Sequence, residues 1–137
     1  MSALTKEFLA DWHKAVKHRD RELLSSIIAE GCELRSPVVW KPTADKDYLL
    51  HILMGVITVV EGFEYRDEWI KENEIILEFT GTVDGKGLTA IDRITLDENG
   101  KMVCIEVMMR PLNTLIEFAT RMREHALAYK PDNAANA

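Results

Sequence analysis

The stretch GLTAIDRITLDENGKMVCIEVMMR, residues 87 to 110, decides how this chain reads. Leu88, Ala90, Asp92, Ile94 and Leu96 occupy every second position, with Thr89, Ile91, Arg93 and Thr95 between them. That period belongs to an extended strand whose side chains alternate between two faces. The more apolar set must face a core, and it carries Asp92 inward with it. The Asn99-Gly100 pair suits a tight hairpin, after which Lys101 to Arg110 forms a second strand. Val103, Ile105, Val107 and Met109 point inward there. Met102, Cys104, Glu106, Met108 and Arg110 take a face too apolar for plain solvent.

Two more strand-length segments precede this pair, Phe63 to Lys71 and Glu74 to Val83, with Ile75, Leu77, Phe79, Gly81 and Val83 inward. The joins at Glu72-Asn73 and Asp84-Gly85-Lys86 are short enough to make neighbouring strands antiparallel. The first third is helical. Leu4, Phe8, Leu9, Trp12, Ala15 and Val16 recur at helical spacing. Asp20 caps a short second helix carrying Leu23, Leu24, Ile27 and Ile28, which Glu30-Gly31 ends. Cys32 to Val38 reads as a strand stopped by Pro37 and the Lys41-Pro42 turn. A third helix, apolar nearly all round, runs from about Asp45 to Val60, and Asn113 caps a last one carrying Leu115, Phe118 and Met122. Helices, then mostly strands, then a helix is an α+β order. We expect one domain over residues 1–130 and a flexible tail, small and polar, over 131–137.

A chain of 137 residues buries roughly two-thirds of its unfolded surface, so it needs no disulfide or metal to hold a core. The net charge of −6 argues against nucleic acid, whose binders neutralise phosphates with a basic stripe. The one basic cluster, Lys14, Lys17, His18, Arg19 and Arg21, reads as a solvated helix end broken by Asp20. No secretory leader is visible, and the longest apolar run, Tyr48 to Val60, is too short to span a bilayer. These features predict a cytoplasmic protein without membrane contact. Cys32 and Cys104 lack metal or CxxC spacing and fall on opposite strand faces, so they read as reduced thiols that do not pair. There is no Gly-rich phosphate loop, no HExxH and no zinc or EF-hand spacing, so no cofactor and no metal is expected.

Asp92 is the candidate with the most chemistry. A lone carboxylate on an apolar face must pair, accept hydrogen bonds or take up a proton. It is either a neutral acid or acid–base group in a pocket, or a structural Asp satisfied by Trp12, Tyr48 or a backbone amide. His51, on the apolar helix, is the first candidate for a base in the pocket, against a plain hydrogen-bonded core histidine. His13, His18 and His125 lie among charged residues and read as surface.

The order of elements, Ser36-Pro37-Val38-Val39, the Asp92 strand, the Asp97-Glu98-Asn99-Gly100 turn and Arg110-Pro111-Leu112 resemble one superfamily. Over about residues 4 to 120 the chain is similar to nuclear transport factor 2-like proteins, in the SnoaL-like and ketosteroid-isomerase-like branch. The resemblance implies a cone-shaped fold, with a curved, mixed but mostly antiparallel sheet, N-terminal helices and a C-terminal helix. It also implies that Asp92 stands where the isomerases keep an oxyanion-hole acid. Trp12 stands in place of their oxyanion-hole tyrosine, and Ser36 in place of their general-base Asp. A serine is no base near neutral pH without an activator. Epoxide hydrolysis, also found in the superfamily, needs paired inward carboxylates, and only Asp92 points inward.

These readings predict a cone that binds a small apolar molecule, with Asp92 as proton donor and His51 as base. Trp12, Ser36, Trp40, Met54, Phe79, Val107 and Met109 form the expected pocket wall. One reading is an isomerase, cyclase or hydratase acting on an apolar carbonyl compound. The other is a non-catalytic binding or interaction module. Ile76, Ile91, Met102, Cys104 and Met108 on the outer sheet face predict a homodimer.

Overall fold

The computed structural model describes residues 1–131, so the expected tail lies outside the described residues apart from Pro131. Helix α1 (Ala3–His18) begins at Ser2, whose hydroxyl accepts the Thr5 N–H at 3.1 Å. Helix α2 (Arg21–Ser26) begins at Asp20, whose carboxylate accepts the Leu23 N–H at 3.0 Å. Strand β1 (Ile28–Arg35) leads to α3 (Lys46–Val59), capped by Asp45. Strands β2 (Glu61–Lys71), β3 (Glu74–Val83), β4 (Lys86–Leu96) and β5 (Met102–Arg110) follow, then helix α4 (Leu112–Leu127).

The five strands form one open sheet in the order β1-β5-β4-β3-β2. Its four hairpin strands pair antiparallel, as their short joins require, while β1 runs parallel to β5. The inward faces expected for β3 and β4 are the buried ones: Ile75, Leu77, Phe79, Ile94 and Leu96 are almost fully covered. Phe8 and Trp12 of α1, Leu49 and Leu53 of α3, and Phe118 of α4 pack over them. The core has two parts that meet at Ile52 and Tyr65. Among the described residues no helix is long and apolar enough to cross a membrane.

Three local expectations change. Glu30-Gly31 does not end α2 but lies inside β1, where Gly31 has φ 73° and the register with β5 shifts between Ile28 and Glu33. Glycine adopts that conformation without strain, and the resulting bulge lets Ile28 pair with Met102. The strand stops at Arg35 rather than Val38 because the Val38 and Val39 N–H groups both turn back to the Ser36 hydroxyl, at 3.0 and 3.3 Å. Helix α4 starts at Leu112 with Pro111 before it, and Asn113 is exposed in its first turn without capping it. Proline suits a helix start, where its missing N–H would have no partner anyway.

A fourth change affects the outer face of the sheet. Leu96 pairs with Met102 but Thr95 pairs with Cys104, so Val103 is an extra residue on β5. The bulge turns Met102 into the core, where it is fully buried, and removes it from the outer patch. Ile76, Ile91 and Cys104 remain there half-buried, Met108 is 44% exposed, and Trp69 joins the patch opposite Ile76 at 52% exposed. Cys32 is buried on the other side of the sheet, and burial pushes its thiol up to about 12.

Candidate active site in the cone

Asp92 stands in the middle of β4, flanked across the ladder by Leu77 and Val107. It is 5% exposed, and its surroundings on both neighbouring strands are apolar. Burial raises its pKa to about 7, and a hydrogen bond from Tyr65 pulls the other way. The Tyr65 hydroxyl donates to Asp92 Oδ2 at 3.1 Å and accepts from the Trp12 indole N–H at 2.9 Å. Burial, then the nearby Asp92 charge, raises the Tyr65 phenol well above its ordinary value. Part of the Tyr65 residue reaches solvent, but its hydroxyl tip lies inside.

Each of the three groups is placed by its own element. Trp12 comes down from α1 with its ring stacked on Phe8, centroids 5.7 Å apart. Tyr65 is on β2 opposite Phe79, just before the register with β3 shifts between Tyr65 and Glu68. Its ring meets Phe79 edge-on at 6.0 Å, and Phe63 stacks on Phe79 at 4.5 Å. The phenol therefore crosses β3 diagonally to reach Asp92 on the far strand.

Against these groups lies a cavity of about 30 Å³, lined by Trp12, Leu53, Tyr65, Phe79, Asp92 and Val107 among others. One water needs roughly 10–15 Å³ on such a measure, so the cone is nearly filled by its own side chains. The roomier hollow, about 520 Å³, is an open cleft elsewhere, between the start of α1 and the hairpin ends near Leu4, Ile70 and Leu96. None of the predicted site residues lines it.

Trp12, Phe79, Val107 and Asp92 are brought together as expected, and the others are not. His51 faces α4 instead of the cavity. Its ring stacks on His125 with centroids 4.0 Å apart, and each Nε2 bonds the other residue's carbonyl oxygen, at 2.7 and 2.8 Å. His125, expected on the surface, is half-buried there because Gly55 leaves room for its ring: a Cβ at Gly55 would sit 2.7 Å from His125 Nε2. His13, also expected at the surface, is half-buried edge-on to Tyr65 at 5.0 Å. Ser36 spends its oxygen on the turn described above and does not line the cavity. Trp40 is 97% exposed, on a loop that carries it away from the core. Met54 and Met109 pack beside the two parts of the core without lining the cavity. Tyr48 is not a partner of Asp92: its ring packs edge-on to Tyr129.

Tyr65 is the residue of the candidate site that the sequence expectations did not include. The signal was present, since Phe63 and Tyr65 alternate and period two places both on one face. A hydroxyl carried inward with Phe63 is the natural partner for an inward Asp.

No protein-family profile matches the sequence, and no curated protein is significantly similar to it. Solved structures do match. A steroid delta-isomerase from Pseudomonas aeruginosa is 31% identical, with a TM-score of 0.89 over 94% of this chain and 96% of that one. An uncharacterised protein with a cystatin-like fold from Silicibacter pomeroyi is 26% identical, with a TM-score of 0.83 over 88% of this chain and 86% of that one. A nuclear transport factor 2-like protein of unknown function from Burkholderia xenovorans is 18% identical, with a TM-score of 0.66 over 77% of this chain and 82% of that one, which speaks to fold alone. With the open mixed sheet, the covering helices and this level of identity, the chain belongs to the nuclear transport factor 2-like superfamily, in its ketosteroid-isomerase-like branch.

Proposed function

We propose that the cone binds a small apolar carbonyl compound and that neutral Asp92 donates a hydrogen bond to its oxygen, in chemistry of the isomerase type. One observation carries this reading. Asp92 has a single hydrogen-bond partner among the described residues, Tyr65, and the cavity lies against it. An acid held neutral in an apolar site can stabilise negative charge developing on a carbonyl oxygen. Entry requires Val16, Val56 and Phe63, partly exposed side chains that line the cavity, to swing aside. The steroid isomerisation in the relative's name is not part of the proposal, because neither Ser36 nor His51 reaches the cavity as a base.

A phenol tests this, since its ionised oxygen mimics the developing enolate. 4-Nitrophenol, followed by its absorbance, should bind the parent, and Asp92→Ala should weaken binding at least tenfold. A hydrogen bond to a charged oxygen contributes roughly 1.5–3 kcal/mol. Equal binding by both proteins would remove Asp92 from the site. The cavity volume favours a second reading, a non-catalytic module with a filled cone, and absence of binding to the parent would select it.

The outer sheet face supports a proposal of its own, a homodimer formed through Trp69, Ile76, Ile91 and Met108. Met108→Lys should convert dimer to monomer in sedimentation equilibrium at tens of micromolar. A parent that sediments only as monomer would end that idea.

A further inference from the structure

The buried polar groups of the cone have a direction as well as a position. An indole N–H donates and has no acceptor atom. At 2.9 Å from the Tyr65 oxygen, the Trp12 Nε1–H therefore makes that oxygen an acceptor. The Tyr65 proton must then go elsewhere, and the one other partner of the hydroxyl among the described residues is Asp92 Oδ2, at 3.1 Å. The reverse polarity, with Asp92 donating to Tyr65, would leave the phenol proton without an acceptor inside the protein. Such an orphaned donor costs roughly 1–3 kcal/mol. Oδ2 is thus occupied as an acceptor. Among the described residues no buried side-chain oxygen or nitrogen lacks a partner, so Oδ1 is not fully sealed in apolar packing, and Asp92 is one of the residues that line the cavity.

We infer that Trp12, Tyr65 and Asp92 form a one-way hydrogen-bond chain that holds the proton of the neutral acid on Oδ1, facing the cavity, with Trp12 and Tyr65 as positioning residues. The role given to Asp92 rests on the proposed function, whereas the direction of the chain does not. The indole spends its N–H on Tyr65 and has none left for a ligand. Donation into the Tyr65 oxygen strengthens the bond that Tyr65 makes in turn. Both residues thereby stabilise the Asp92 carboxylate relative to the acid.

The direction fixes the sign of a measurable shift. The Asp92 side-chain carboxyl, followed by carbon-13 NMR against pH, should titrate higher in Tyr65→Phe than in the parent. Loss of one hydrogen bond to the charged form predicts a rise of about one to two pH units. Trp12→Phe keeps the ring beside Phe8 but loses the N–H, and should move the midpoint up by less. A lower midpoint in Tyr65→Phe would mean that Asp92 donates to Tyr65, which overturns the inference. No shift in Trp12→Phe, with Tyr65→Phe raised, would reduce Trp12 to packing and overturn its half. If Trp12→Phe does not fold, the Tyr65→Phe sign decides the direction alone. The titration needs no ligand, so it can succeed while 4-nitrophenol fails to bind, and the two ideas fail separately.

Discussion

Asp92→Asn is expected to be clearly more stable than the parent at about pH 8 and to lose that advantage toward about pH 4 or below. Burial raises the Asp92 pKa from 3.8 to about 7, so the folded state holds this proton more tightly than the unfolded chain. Where the folded state binds more protons, stability falls as pH rises. The cost starts as pH climbs past the unfolded value, grows up to the folded one, and levels off above it. A difference of about three units amounts to about 4 kcal/mol at 1.36 kcal/mol per unit. Asparagine fills the same space, accepts from Tyr65 through its oxygen and does not titrate. The gap between variant and parent should therefore change by about 4 kcal/mol across that window, while any cost of placing the amide N–H₂ in the cavity offsets the gap equally at every pH. Urea unfolding at a series of pH values measures it. A variant that is less stable than the parent at high pH would make Asp92 a paired, ionised, structural carboxylate.

Phe79→Ala is expected to destabilise the protein by about 3–5 kcal/mol, the usual range for removing a buried phenylalanine ring. Phe79 is 0% exposed, stacks with Phe63 and meets Tyr65 edge-on, so the void it leaves cannot be filled without moving β2. The same void joins the cavity beside Asp92 and admits water to the carboxyl, which should bring the Asp92 pKa back toward its ordinary value. Chemical denaturation gives the stability, and the pH dependence of the variant gives the second effect. A loss below about 1 kcal/mol would show that the cone collapses freely around the gap, contrary to a tightly packed site.

Legibility in the sequence followed period and turn chemistry. Asp92 could be placed inward because Leu88, Ala90, Ile94 and Leu96 surround it at period two, and the short turns at Asn99-Gly100 and Asp84-Gly85 left one antiparallel arrangement. Periodicity fails where one residue is inserted. Val103 shifts Met102 from the outer face to the core, and Gly31 turns an apparent helix end into a strand bulge. His51 departs from its expected place for a different reason. A helix that is apolar nearly all round does not say which of its faces meets the sheet and which meets another helix. The face with His51 meets α4, whose His125 stands among charged residues in the sequence and so reads as surface. Trp40 and Ser36 follow a strand, where loop geometry rather than alternation decides direction. Tyr65 shares a face of β2 with Phe63, but the irregularity between Tyr65 and Glu68 breaks the alternation that would mark that face as inward along the whole strand.

The most direct test of the central claim is the midpoint at which the Asp92 carboxyl of the parent titrates, read by carbon-13 NMR with Asp92→Asn to assign the signal. The expected midpoint is about 7, so that much of the population carries the proton at neutral pH. A midpoint at or below about 4, the ordinary value for aspartate, would contradict it.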